Sequence, residues 1–364
     1  MVIVHVTEPF ATGINTFLQE LIFSMPEYEH IIIHGERDDT RDINEIKFEY
    51  KGKVKFIKWE HAHREISIVK DIKAYFHLRK ILKSIDFDVL HLHSSKAGVL
   101  GRCIGLKRKY KNIVYTPNAA SFLRTDISKL KRKVYTLIEK FSNLSGAQIV
   151  SSSNSEYVAY KNIGIQSKII QNGVTISKEN QEIESQDGNF NIVFCGKVTV
   201  QKNPELFNEI ALFYKDIPNV KFYWIGDGEM KESLTSDNIQ ITGWQKKNFI
   251  YSILAKSDLY LSTSSWEGLS IATIEASAFG LPLVLSRCVG NQDMVLKDYN
   301  GFLFSSKSEA IERIEFLRNN KDQKDQISQN SKTNYNKQFG NYRCGLEYKS
   351  LYLEILKKNS RQSL

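Results

Sequence analysis

Residues 266–282 read Trp-Glu-Gly-Leu-Ser-Ile-Ala-Thr-Ile-Glu-Ala-Ser-Ala-Phe-Gly-Leu-Pro. Ser270 is a favourable N-cap, and Gly280 and Pro282 are typical of a helix end. The apolar run at 281–286 predicts a strand immediately afterwards. The stretch therefore predicts a loop, a short helix and a strand of an α/β domain.

Two glutamates occupy distinct places in this predicted unit. Glu267 is expected at the loop end, and Glu275 about a turn and a half into the helix. Backbone N–H groups at a helix start attract phosphate, here those of Gly268, Leu269 and Ser270. Each carboxylate can accept hydrogen bonds from neighbouring hydroxyls. The arrangement suits a sugar nucleotide.

This stretch resembles the Glu-x7-Glu signature of retaining glycosyltransferases with the GT-B fold, in the large family numbered four. The resemblance implies two Rossmann-like, doubly wound α/β domains facing a central cleft. It also implies that Glu267 holds the donor sugar and Glu275 the ribose. The alternative is a solvated Glu267 and a surface Glu275 on an ordinary helix.

A second mark of the family lies at 194–204, which read Phe-Cys-Gly-Lys-Val-Thr-Val-Gln-Lys-Asn-Pro. A strand runs into Gly196, then a loop carries Lys197 and Lys202 before an Asn-Pro helix start. Both lysines are expected to offset the charge of a departing diphosphate, although two loop lysines are often simply exposed. The family normally has arginine at Lys197, and lysine lacks the bidentate fork.

Two further marks follow predicted strands, Trp-Ile-Gly-Asp-Gly-Glu at 224–229 and Thr-Gly-Trp-Gln at 242–245. In relatives the second loop, here with Gly243, lies near the base of the donor. Both are also common turn sequences.

The first half carries Thr-Gly-Ile-Asn at 12–15, a spare version of the family's glycine-rich loop. The resemblance places Gly13 near the donor and Asn15 in the cleft. The loop is not Gly-x-Gly-x-x-Gly, which argues against a nicotinamide site.

Residues 88–98 read Asp-Val-Leu-His-Leu-His-Ser-Ser-Lys-Ala-Gly and resemble the branch of the family that builds bacterial surface polysaccharides. His91 and His93 alternate with leucines, so both face one side of a strand. No further ligand is spaced for a metal site. His93, at the strand end, is the expected cleft residue.

Residues 115–119 read Tyr-Thr-Pro-Asn-Ala where the family usually has Thr-Pro-His. That histidine reaches the donor sugar near the bond that breaks. Asn118 can still donate a hydrogen bond, but it cannot become a cation. The Asn-Gly-Val of 172–174 also matches the family.

The sequence at 86–88, Asp-Phe-Asp, matches the metal-diphosphate motif of the other major glycosyltransferase fold. It precedes a predicted buried strand, at the end remote from the cleft. We interpret it as a turn, and we expect a cationic loop in place of a metal and no cofactor.

The net charge of +9 calls for an acidic partner. Nucleic acid is not expected, because no recognisable binding module is present. One basic cluster is interleaved with apolar residues at helical spacing, which predicts an amphipathic helix on an anionic membrane or a merely solvated helix face. The predicted membrane residues are Arg124, Lys129, Lys131, Arg132 and Lys133.

Length and the alternation of apolar runs predict two doubly wound domains, 1–174 and 190–341, joined by a polar linker at 175–189. The stretch 342–357 is expected to pack back on the first domain. Four scattered cysteines indicate reduced thiols. The predicted strands are Val2–Val6, Ile31–His34, Val54–Lys58, Val89–His93, Ile113–Thr116, Gln148–Ser151, Asn191–Cys195, Val220–Ile225, Gln240–Thr242, Leu259–Ser262, Leu281–Leu285 and Gly301–Phe304.

Together these marks predict a retaining glycosyltransferase that moves a hexose or N-acetylhexosamine from a nucleotide sugar, with UDP favoured. The expected acceptor is a lipid-linked saccharide in O-antigen, capsule or exopolysaccharide synthesis, at the inner face of a bacterial membrane. Two alternatives stay open: a soluble acceptor, or a non-catalytic glycosyltransferase-like binding subunit.

Overall fold

The computed structural model describes residues 1–8, 10, 12–36, 42–63, 67–108, 110–176, 188–340 and 342–361. The chain divides into two compact units, each an α/β sandwich. The first unit comprises Met1–Leu123, Ile127–Asn172 and Tyr342–Leu364, and the second comprises Arg124–Asp126 and Gly173–Asn341.

The first unit is built on a parallel sheet in the order β3-β2-β1-β4-β5-β6-β7. Its strands are β1 (Val2–Thr7), β2 (Glu29–His34), β3 (Val54–Lys58), β4 (Val89–His93), β5 (Ile113–Thr116), β6 (Gln148–Ser151) and β7 (Lys168–Ile169). Its helices are α1 (Thr12–Phe23), α2 (Ile43–Phe48), α3 (Ile68–Lys83), α4 (Ser95–Arg108), α5 (Lys129–Asn143), α6 (Asn154–Asn162) and α12 (Arg343–Arg361).

The helices of the first unit cover both faces of its sheet. Buried side chains of α1 and α12 pack against β1 and β4 on one face. Residues of α3, α4 and α6 pack on the opposite face. Alternate residues of each strand point to opposite faces, so this core has two layers.

The second unit has a parallel sheet in the order β10-β9-β8-β11-β12-β13. Its strands are β8 (Phe190–Cys195), β9 (Val220–Ile225), β10 (Ile239–Ile241), β11 (Leu259–Ser262), β12 (Leu283–Ser286) and β13 (Gly301–Phe304). Its helices are α7 (Pro204–Phe213), α8 (Lys247–Ala255), α9 (Ile271–Ala278), α10 (Lys307–Asn319) and α11 (Lys321–Gln338).

All twelve predicted strands are present, several with unchanged bounds. One local expectation is wrong, because Gly13 lies in the first turn of α1 and not in a loop. The structure also has a short strand, β7, that is not among the predicted strands. Most of the predicted linker, 177–187, lies outside the described residues.

Both sheets reverse strand order beside a central strand, β1 in the first unit and β8 in the second. In open parallel sheets, ligands bind at the carboxyl ends of the strands where the order reverses. A ligand of the second unit is therefore expected at the loops that follow β8 and β11. Among the described residues, no helix combines the length and apolar content that crossing a bilayer requires.

Candidate active site

Helix α9 begins as its sequence predicts. Ser270 is in an extended conformation, and its hydroxyl accepts a hydrogen bond from the Thr273 N–H at 3.3 Å. Gly280 ends the helix with a φ of 75°, a conformation that glycine adopts without strain. The cap fixes where the backbone turns from loop to helix, and so fixes the two glutamates on either side.

Glu267 is buried and joined to the loop after β8. Its carboxylate forms a salt bridge with Lys202, and Gln201 donates a hydrogen bond of 2.9 Å to the carbonyl of Trp266. The Ser265 N–H also donates to the carbonyl of Gln201 at 2.8 Å. The structure thus brings two predicted residues, Lys202 and Glu267, together at the strand-order reversal between β8 and β11.

Glu275 is buried in α9 and faces α8. It forms a salt bridge with Lys247, and the Tyr251 hydroxyl lies 3.5 Å from the same carboxylate oxygen. A buried carboxylate requires such a partner because desolvation of a lone charge is costly. Lys247 and Tyr251 were not identified from the sequence.

The loops after β8 and β9 lie back to back at Gly196. The Trp224 side chain donates from Nε1 to the Gly196 carbonyl at 2.9 Å. Gly226 has a φ of 145°, and a Cβ there would lie 2.2 Å from that carbonyl oxygen. Lys197 follows Gly196 directly, and its Nζ lies 3.7 Å from the carboxylate of Glu229 in the loop after β9. Lys197 therefore lies where the backbones of Gly196 and Gly226 approach each other closely.

A third glycine supports the Glu267 loop. Gly290 has a φ of 85°, and a Cβ there would lie 2.4 Å from the carbonyl oxygen of Gly268. The Glu267 N–H donates to the Val289 carbonyl at 2.9 Å. Gly243 follows β10 with a φ of 69°. Sequence reasoning missed Gly290, because its partner lies more than twenty residues earlier.

The first unit carries a chain of buried histidines. His30 Nε2 donates to the Met25 carbonyl at 3.1 Å, because a carbonyl only accepts. His30 Nδ1 then accepts from His5 Nε2 at 3.1 Å, and His5 Nδ1 accepts from His93 Nε2 at 3.1 Å. The hydrogen bonds therefore assign one tautomer to each ring.

Burial keeps these imidazoles neutral. Desolvation lowers the pKa of His93 to about 3. Desolvation, followed by repulsion from neighbouring rings, holds the pKa values of His5 and His91 well below their usual range. Among the described residues, Nδ1 of His93 has no hydrogen-bond partner, so the chain of hydrogen-bonded histidines ends on the lone pair of this nitrogen.

The expectation that no third ligand lies near His91 and His93 is wrong. His5 pairs with His91 across β1 and β4, and one nitrogen from each of His5, His91 and His93 falls within 4.8 Å of the others. Three imidazoles are a donor set for zinc. Both nitrogens of His91 already contact hydroxyls, those of Tyr352 at 2.7 Å and Thr116 at 2.9 Å.

The other predicted residues of the first unit differ in their surroundings. Asn118 has a φ of 49°, and neither atom of its amide has a partner among the described residues. Asn15 instead donates to Glu49 at 3.0 Å and accepts from Tyr50 at 2.9 Å. The Asn118 amide therefore has unused hydrogen-bonding capacity, whereas the Asn15 side chain joins α1 to Glu49 and Tyr50, which follow α2.

The Asp-x-Asp sequence lies at the amino end of β4. The Asp88 carboxylate accepts from the Val2 N–H at 2.7 Å, which joins β4 to β1. Asp86 lies two residues earlier, in the segment between α3 and β4. This position is the opposite end of the sheet from the loops that follow the strands.

The predicted basic segment forms helix α5, capped by Ser128, whose hydroxyl accepts from the Lys131 N–H at 3.3 Å. Lys129, Arg132 and Lys133 lie exposed in its first turns. Arg124 precedes the helix and forms a bidentate pair with Asp126.

Comparison with known protein families covers nearly the whole chain. Residues 12–178 match the model of Glycosyltransferase Family 4, and residues 175–334 match that of Glycosyl transferases group 1. A UDP-Gal:alpha-D-GlcNAc-diphosphoundecaprenol alpha-1,3-galactosyltransferase of Escherichia coli is 31% identical over 266 residues, which are 66% of this chain and 68% of that protein. An uncharacterized 41.2 kDa protein in the cps region of Klebsiella pneumoniae is 26% identical and covers 86% of this chain and 88% of its own length.

Solved structures share the fold at low sequence identity. Sucrose-phosphate synthase from Thermosynechococcus elongatus superimposes with a TM-score of 0.79 at 13% identity, over 98% of this chain and all of that one. HepE of Anabaena, in complex with UDP and glucose, gives 0.75 at 15% identity over the full length of both chains. These likenesses establish the GT-B fold.

Proposed function

This chain belongs to the family 4 glycosyltransferases, and from that membership we propose that it transfers a hexose or N-acetylhexosamine from a UDP-sugar, with retention, to a lipid-linked saccharide. The observation that carries the proposal is the Lys202–Glu267 salt bridge beside the capped start of α9. The Escherichia coli relative, named for a UDP-galactose donor and a diphosphoundecaprenol acceptor, supports the substrate classes.

Each charged group has a task in the proposed reaction. Lys202 and Lys197 stabilise the negative charge that grows on the departing diphosphate, together with the amides at the start of α9. Glu267 orients the sugar and Glu275 holds the ribose hydroxyls. Each buried glutamate has a lysine partner, Lys202 for Glu267 and Lys247 for Glu275. The leaving phosphate then receives the proton of the attacking hydroxyl, and no metal takes part.

Helix α5 supports a membrane-bound acceptor because its apolar side faces outward. Its inward side is held by Glu139, which accepts from both terminal nitrogens of buried Arg102 on α4, at 2.8 and 3.0 Å. Breaking such a buried pair costs about 3–5 kcal/mol. The helix is therefore fixed with its apolar stripe exposed.

The stripe follows helical spacing along the whole of α5. Its side chains are exposed, Leu130 by 72% and Leu137 by 65%. Lysines border it, so it combines apolar contact with attraction to anionic headgroups. We place the enzyme peripherally at the inner face of the cell membrane through this helix. The stripe consists of Leu130, Val134, Leu137, Ile138, Phe141 and Leu144.

The test is transfer from a panel of UDP-, GDP- and dTDP-sugars to a synthetic lipid-diphosphate saccharide in vesicles. The proposal expects a product with UDP-hexose or UDP-N-acetylhexosamine, with the anomeric configuration of the donor by NMR, and undiminished by a chelator. An inverted product would refute retention. Equal transfer to the same saccharide without its lipid would favour a soluble acceptor, and a failure to hydrolyse or transfer any donor would favour a binding subunit.

A further inference from the structure

Helix α3 carries a second exposed apolar stripe. Ile68 is exposed by 76%, Val69 by 65%, Ile72 by 52% and Phe76 by 57%. Three of these residues are four apart, so they align along one side of the helix. The opposite side is buried in the sheet core through Ala74, Leu78 and Leu82. The exposed residues are therefore not part of the buried core of this unit.

Helix α4 lies between α3 and α5 and sits close to the sheet. A Cβ at Gly98, Gly101 or Gly105 would lie 2.1–2.4 Å from a side chain of β4 or β5. The helix could not approach this closely with larger residues. Its neighbours are joined to it by salt bridges, Lys96 to Asp71 of α3 and Arg102 to Glu139 of α5.

The three helices therefore form one surface with two apolar ridges. Helix α3 is the first ridge and α5 the second, with α4 between them. The outer side of α4 is itself partly apolar, since Leu106 is exposed and Cys103 is half-buried. We define this surface as the α3–α5 face.

We propose that the α3–α5 face docks as a whole on an anionic lipid bilayer, with α3 as a second insertion site beside α5. The inference rests on the proposed function for its membrane and adds the second helix. Exposed Lys70, Lys73, Lys80 and Lys83 border the α3 stripe, and Asp71, the one acidic residue of α3, is already paired with Lys96. Both ridges thus share one chemistry, apolar side chains bordered by cations.

Charge favours a bilayer over a second copy of this chain. A two-fold contact would bring each face against itself, and so would place basic helices opposite basic helices. Anionic headgroups neutralise the same lysines, each contributing about 1 kcal/mol near the surface. Two ridges also define a plane, which fixes the tilt of the unit on the membrane, whereas one helix fixes only a line.

The test compares three double variants of the full chain in co-sedimentation with phosphatidylglycerol-containing vesicles. I72S with F76S removes the α3 ridge, and L137S with F141S removes the α5 ridge. L212S with F213S is the control, since both residues are similarly exposed on α7 of the second unit. Each ridge variant is expected to lower vesicle partitioning about ten-fold, and the control to match the parent.

The outcomes separate this inference from the proposed function. Release by the α5 variant alone would overturn the α3 ridge and leave the proposed membrane contact of α5 intact. Release by the α3 variant alone would support the new site and remove α5 from the proposed function. If the parent forms a dimer that I72S with F76S dissociates, the α3–α5 face is a self-interface and the inference is wrong.

A second measurement does not depend on loss of binding. Tryptophan is placed on the ridge with F76W, and on the control helix with F213W. Brominated lipids in the vesicles are expected to quench the added fluorescence of F76W and to leave that of F213W unchanged. Equal quenching in the two variants, or none in F76W, would contradict insertion of α3.

Discussion

The first unit contains all eight histidines of the chain and the second unit contains none. At the strand-order reversal of the first unit lie buried, neutral imidazoles, whereas the corresponding place in the second unit carries the Lys202–Glu267 salt bridge. Neutral imidazoles exchange hydrogen bonds with hydroxyls but do not neutralise phosphate. Two similar sheets therefore carry different chemistry at corresponding places, and under the proposed function we expect the diphosphate of the donor at the second unit.

The largest expected difference between the units is in acid stability. The folded pKa values of His5, His91, His93, His30 and His34 lie below the unfolded value of about 6.5. The unfolded chain therefore binds protons first, so stability is full above pH 6.5 and falls as the pH drops towards the folded values. Each histidine costs about 1.4 kcal/mol per pH unit over that range.

Hydrogen exchange at pH 7 and pH 5, corrected for intrinsic rates, measures this effect within one chain. Core peptides of β1 and β4 are expected to lose protection, and those of β8 and β11 to lose much less. Equal losses in the two units would show that the histidines do not determine acid stability.

The next effect concerns Lys202. Lys202→Ala is expected to lower kcat about 100-fold, with a smaller loss of donor affinity, because charge on the leaving phosphate grows towards the transition state. Steady-state kinetics with the preferred donor measure both parameters. Lys307→Ala, which removes an exposed lysine of the same unit, is the matched control, and an equal loss there would indicate bulk charge.

Glu275 is expected to contribute to binding of the donor. Glu275→Ala should weaken donor binding about ten-fold, because charge-assisted hydrogen bonds to the ribose contribute about 1.5–3 kcal/mol each. Calorimetric titration with UDP and with uracil separates the ribose contact from that of the base. Glu309→Ala, which removes an exposed carboxylate in the first turn of α10, controls for the loss of a carboxylate. Unchanged affinity for UDP would remove the ribose role.

The smallest expected effect is a gain in donor affinity. Lys197→Arg restores the planar fork that the family normally carries, and we expect donor affinity to rise about two- to five-fold. The change in dissociation constant for UDP is the measurement. A loss of affinity would mean that the pocket beside Glu229 is shaped for lysine.

Local signals predicted much of this molecule, and contacts between distant segments account for what they missed. The cap at Ser270, the Asn-Pro start of α7 and the alternating strands are properties of neighbouring residues, and the structure has all of them. His5 joins His91 only through the pairing of β1 with β4. Lys247 reaches Glu275 from another helix. The spacing of residues along the chain does not predict such contacts.

The prediction for Gly13 failed for a related reason. One glycine, here between Thr12 and Ile14, is compatible with a loop and with the first turn of a helix. The periodic apolar residues that follow, Phe17, Leu18 and Leu21, are buried in α1, and their packing extends the helix back to Thr12. Tertiary burial therefore outweighs the local preference of glycine.

The most direct test of the contrast between the units is hydrogen exchange of the full chain with and without saturating UDP, with ADP as a parallel probe. The account predicts that UDP protects the loops at 196–203 and 263–270 and the start of α9, all in the second unit. It predicts weaker protection by ADP at the same places. Protection by UDP confined to the histidine-bearing strand ends of the first unit would contradict the account.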